Sequence, residues 1–100
     1  MENDKLYNNM PGLREPDWSQ FERLELAGCT LEEGETIGDV SADEAQFFTV
    51  YGRGKTEEGY FEAITDCPTA LDALTIGATL SYRSRLPLVL TLSLTPTAEL

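Results

Sequence analysis

One hundred residues can bury a single hydrophobic core but not two, and a hydrophobic share of 41% excludes wholesale disorder. Eighteen Asp and Glu face seven Lys and Arg, a net charge of −11. Such a field repels nucleic acid and anionic membrane, which argues against direct binding to either, and it attracts basic protein surfaces.

The charge is uneven. Residues 1–66 carry sixteen acids and five bases, whereas residues 67–100 carry two of each. The densest run of acids extends from Glu15 to Glu44, with Arg23 as its one base. Met1-Glu2-Asn3-Asp4-Lys5 has neither the basic nor the apolar region of a signal peptide. The longest apolar run, Leu86 to Leu90, is far short of the roughly 20 residues that span a bilayer. Two cysteines are too few for a disulfide scaffold. The expected location is therefore the cytoplasm, with both thiols reduced.

Residues 1–16 read as a flexible arm, broken by Asn8-Asn9, Pro11-Gly12 and Pro16. A single α+β domain is expected over 17–100. Asp17 suits an N-cap, and Trp18, Phe21 and Leu24 fall three apart, which predicts a short helix ending near Leu26. Leu24-Glu25-Leu26 also alternates as a strand would. Cys29 to Val40, acidic and interrupted by Gly34 and Gly38, reads as a loop with at most a short extended piece. Ser41 to Glu44 has capping-box spacing, but the apolar run after it does not keep a helical period.

Gln46 to Tyr51 is rich in aromatic and β-branched residues and reads as a strand. Gly52 to Gly59 reads as a hairpin loop and Tyr60 to Thr65 as the returning strand. Asp66-Cys67-Pro68 marks a helix start. Its expected buried stripe is Cys67, Leu71, Leu74, Ala78 and Tyr82, widened by Ala70, Ala73 and Leu80. Gly77 within it allows close packing against a sheet. Pro87 stops the helix, and Leu88 to Thr95 alternates as a half-buried strand. The predicted fold is thus α+β: a sheet of about three strands in β-β-α-β order, packed by one main helix and preceded by a short one.

No histidine is present, which removes the commonest general base and metal ligand and rules out Ser-His-Asp and Cys-His arrangements. Cys29 lies among acids, which raise rather than lower a thiol pKa. Cys67 begins the apolar stripe and reads as core. Gly54-Lys55-Thr56 imitates the end of a phosphate loop, but the position that should carry the first glycine is Thr49. Asp39 to Asp43 copies the start of a calcium loop, but Glu44 and Val50 stand where glycine and glutamate should. Neither a cofactor nor a metal is expected, and an enzyme is not.

The expected function is a non-catalytic, acidic protein-binding module. Its candidate contacts are Glu32, Glu33, Glu35, Asp39, Asp43 and Glu44, dense and nearly free of neutralising bases. The expected partner is a basic, nucleic-acid-binding protein whose phosphate-binding surface these carboxylates would occupy. In size, acidity and lack of catalytic groups the chain is similar to small accessory proteins of phages and mobile elements, including anti-CRISPR and anti-restriction inhibitors. That likeness is one of composition. The alternative expectation is a structural module that forms a homodimer or subunit contact through its sheet, with the acids serving solubility.

Overall fold

In the computed structural model of the chain, residues 3–55 and 60–91 are described. In chain order the elements are α1 (Asn3–Leu6), β1 (Phe21–Glu32), β2 (Glu35–Val40), β3 (Phe47–Gly54), β4 (Phe61–Cys67), α2 (Ala70–Ser84) and β5 (Leu88–Leu90). Short 3-10 turns lie at Pro11–Leu13 and Trp18–Gln20.

The α+β class holds, but among the described residues the sheet has five strands rather than about three. Its order is β2-β1-β3-β4, and β5 pairs with β1 in parallel on the edge that β2 also uses. All other pairings are antiparallel. The chain passes from β4 through α2 to β5, crossing the sheet to its far side.

The main correction concerns β1. The three-residue spacing of Trp18, Phe21 and Leu24 comes from two elements and not from one helix. Asp17 does cap, but it caps the 3-10 turn, accepting from the Ser19 amide at 3.1 Å. Trp18 then packs edge-on against Phe21, the first residue of β1, with ring centroids 6.4 Å apart. The strand runs on through Glu32 because it is central: β3 pairs one edge along 21–29, and β5 and β2 divide the other. Residues 24–29 are all buried, on the face under α2 and on the opposite one, which removes the in-out burial pattern of a half-exposed strand.

The stretch expected as a loop is a second correction. Glu33 and Gly34 both take left-handed backbone, with φ of 53° and 85°, the two-residue turn that matches strand twist. It folds β2 back on the end of β1, with Glu32 opposite Glu35.

The expected hairpin of β3 and β4 forms, with β3 longer than predicted. Gly52 lets β3 continue, because the Phe21 ring lies where its side chain would be. At the edge of β4 the N-terminal stretch acts as a strap. The Asn9 amide donates to the Ile64 carbonyl at 3.0 Å. The Asn8 side chain exchanges two 2.8 Å hydrogen bonds with the Asp66 backbone. Leu6 and Tyr7 are fully buried in the core beside Phe21, Leu24, Leu26, Val50, Ile64 and Leu80.

The main helix starts later than expected, capped by Thr69, whose hydroxyl accepts from the Asp72 amide at 3.1 Å. It buries Ala73, Ile76, Gly77 and Leu80. The predicted stripe divides: Cys67, Ala73 and Leu80 are buried and Ala70 and Leu74 pack against the core, whereas Ala78 is exposed and Leu71 and Tyr82 are 72% and 87% exposed. Gly77 packs as anticipated, with the Leu88 side chain of β5 against it. Residues 92–95 of the predicted last strand lie outside the described residues. Among the described residues, no helix is long and apolar enough to cross a membrane.

Candidate functional site

Strand alternation assigns the two sheet faces. Leu24, Leu26, Phe48 and Val50 face α2. Glu25, Ala27 and Cys29 of β1 face the other way, with Thr49, Tyr51 and Arg53 of β3. There Glu25, Ala27, Thr49, Tyr51 and Arg53 floor a trough of about 540 Å³, with Thr36 and Gly38 of β2 along one side and Phe61, Ala63 and Asp66 of β4 along the other.

One end of the trough is an ion cluster. The Glu25 carboxylate, 11% exposed, accepts from Arg23 Nε at 2.8 Å and from Arg53 Nη2 at 3.0 Å. Arg23 also pairs with Glu22. The Arg53 guanidinium sits 5.2 Å over the Phe61 ring, a cation–π contact, and Phe61 meets Tyr51 edge-on at 5.4 Å. Arg53 above all, and Arg23 with it, hold the Glu25 carboxyl below the usual carboxylate range against the opposing effect of burial.

The other end is neutral to acidic. Thr49 donates its hydroxyl to Asp66 Oδ1 at 2.7 Å. Cys29 Sγ lies 3.5 Å from Thr49 Oγ1 and 3.6 Å from the Tyr51 hydroxyl. Burial, then the neighbouring Cys29, pushes the Tyr51 phenol up. Burial, then Asp72 and Asp66, pushes the Cys67 thiol up to about 11, so it is protonated at neutral pH and a poor nucleophile. Among the described residues, no three His, Cys, Asp or Glu side chains come together as metal ligands would.

The predicted contact residues separate into two groups. Glu32, Glu33 and Glu35 meet at the exposed tip of the β1–β2 hairpin. Asp43 and Glu44 are exposed in the connection from β2 to β3. There Ser41 Oγ donates to Asp43 Oδ1 at 2.7 Å and the Glu44 amide donates to the Ser41 carbonyl at 3.0 Å, so the capping-box spacing builds a turn and not a helix. The length of β2, about 17 Å at ~3.3 Å per residue, lies between the groups. Asp39 is on β2. Among the described residues, no ion pair reaches Glu32, Glu33, Glu35, Asp43 or Glu44.

Sequence reasoning missed the trough. Its signal was Leu24-Glu25-Leu26, with an acid between two core leucines, and Gly52-Arg53-Gly54, with a base between two glycines. Once β1 and β3 pair, these place Glu25 and Arg53 side by side. No family model, no curated protein and no solved structure matches the chain.

Proposed function

We propose that the chain is a non-catalytic binding module that applies the acidic β1–β2 hairpin to a basic surface of a partner protein. The partner class is a nucleic-acid-binding protein, and the carboxylates compete there with phosphate, which makes the module an inhibitor. The observation that supports this reading is the hairpin tip. The Glu33-Gly34 turn gathers Glu32, Glu33 and Glu35 at one exposed point, and directly opposed like charges such as Glu32 and Glu35 destabilise a ribbon on their own. A cationic partner relieves that repulsion, while the arginines nearest on the sheet, Arg23 and Arg53, are engaged by Glu22 and Glu25.

Asp43 and Glu44, about one strand length away, lie at the rim of such a contact, where charge chiefly raises the association rate. The test is retention of proteins from host lysate on the immobilised chain, washed at low and at high salt. A basic nucleic-acid-binding protein is retained at low salt and leaves at high salt. The Glu32→Lys, Glu33→Lys, Glu35→Lys triple variant, folded by circular dichroism, does not retain it. Equal retention by the triple variant refutes the reading.

A further inference from the structure

We propose that the Asp66 end of the trough is a lysine pocket, which takes the ammonium of a lysine side chain presented by the partner protein. This rests on the reading that the partner is basic, and not on the hairpin as its point of contact.

Small side chains leave the space. Ala27 of β1, Gly38 of β2 and Ala63 of β4 all line the trough, and a Cβ at Gly38 would lie 3.8 Å from the Tyr51 hydroxyl. The protons of the side chains below run one way. The Thr49 hydroxyl donates its one proton to Asp66 Oδ1 at 2.7 Å. Thr49 Oγ1 in turn accepts from the Cys29 thiol at 3.5 Å, a closer acceptor than the Ala27 carbonyl at 4.0 Å. With the thiol proton so placed, the 3.6 Å contact between Cys29 Sγ and the Tyr51 hydroxyl has tyrosine as its donor. The relay therefore ends in two acceptors, the Tyr51 oxygen and the second carboxylate oxygen of Asp66. A ligand here must bring donors.

Charge and shape select which donors. Among the described residues, no cation pairs with Asp66. Lys5 borders Asp66 in a separate hollow with Asn8 and Asp72, and forms no ion pair with it. Arg53 is four residues along β3 from Thr49, about 13 Å at ~3.3 Å per residue, and Glu25 meets its charge. On a chain of net charge −11 the field favours a cation. A guanidinium prefers both oxygens of a carboxylate, and Thr49 already takes one of them. A compact ammonium needs only the other, with the Tyr51 oxygen beside it. Phe47, two residues before Thr49 on the same face of β3, offers the charge an aromatic ring. Ala63 and the half-exposed Phe61 receive the methylene stem.

Titration with Nα-acetyl-lysine methylamide, followed through the backbone amide shifts of the labelled chain by NMR, tests this. Saturable shifts are expected at Ala27, Thr49, Ala63 and Asp66, with the weak affinity that one side chain supplies. The same probe acetylated on Nζ, and so neutral, is expected to bind at least ~10-fold more weakly. Asp66→Asn still accepts from Thr49 and leaves the Asn8 bonds to the backbone in place; it is expected to lose at least ~10-fold, and Tyr51→Phe several-fold, with circular dichroism confirming that each is folded. The Glu32→Lys, Glu33→Lys, Glu35→Lys variant is expected to bind the probe as the wild type does at physiological salt, so failure of the hairpin contact and failure of the pocket are read separately. No saturable shift at the four trough residues, equal binding of the acetylated probe, undiminished binding by Asp66→Asn, or loss of binding in the hairpin variant overturns the proposal.

Discussion

Replacing Glu25 by glutamine tests whether the ion cluster of the trough contributes to holding the sheet together. The carboxylate is 11% exposed and accepts from two arginines whose side chains are 30% and 35% exposed. Glutamine keeps the volume but loses the charge, and its amide nitrogen turns a donor toward a guanidinium that also donates. Breaking a fully buried pair costs about 3–5 kcal/mol, and an exposed pair contributes about 0–1 kcal/mol. Water reaches both arginines, and Arg53 keeps its contact with Phe61, so the loss lies between these limits, at about 2 kcal/mol. For a domain of this size that lowers Tm by roughly 10 °C.

Trp18, the one tryptophan, packs on Phe21 at the start of β1, so its fluorescence reports urea unfolding. The pH dependence has a definite sign. The folded state holds Glu25 below its unfolded pKa. Its contribution is therefore complete above the ordinary carboxylate value of about 4.3, and is lost as pH falls through the lower folded value. Wild type and variant should differ fully at neutral pH, begin to converge below about pH 4.3, and meet only once the pH has fallen past the lower folded value. A variant within ~0.5 kcal/mol of wild type at pH 7, or a difference that persists unchanged in acid, refutes the reasoning.

Two further substitutions test the backbone. In Gly52→Ala the new Cβ falls 2.8 Å from three carbons of the buried Phe21 ring; a ring held between core neighbours cannot yield cheaply, and a loss of about 1–3 kcal/mol in urea unfolding is expected, with a neutral result contradicting the packing described. Glu33→Asn puts a residue that tolerates left-handed backbone at φ 53° and removes one charge from the hairpin tip; a gain of about 0.5–1 kcal/mol is expected, and a loss would mean that the turn is not the two-residue type.

The divided acids bear on how the proposed contact works. A run that is continuous in sequence becomes a hairpin tip and a separate turn at opposite ends of β2. The tip holds the three acids that the proposed function depends on, and charge reversal there and at Asp43 and Glu44 should separate affinity from association rate.

The residues by themselves determined the elements that own their signal locally. Phe47 to Tyr51 and Phe61 to Thr65 are strands because aromatic and β-branched side chains fit a pleated surface, and a run from Ala70 to Ser84 free of proline is a helix. They also determined the acid excess, its confinement to residues 1–66 and the absence of histidine. Tertiary structure decided the rest. β1 became a strand because three others pair with it; Leu24-Glu25-Leu26 alternates, but the run from Leu26 to Cys29, buried on both faces, does not. The trough exists because pairing β1 with β3 brings Glu25 to Arg53, 28 residues apart in the chain. The helix sequence places Leu71, Ala78 and Tyr82 on one broad buried stripe with Ala73 and Leu80, and only the sheet, by receiving Ala73, Ile76, Gly77 and Leu80 with Leu88 seated on Gly77, left the first three at the surface.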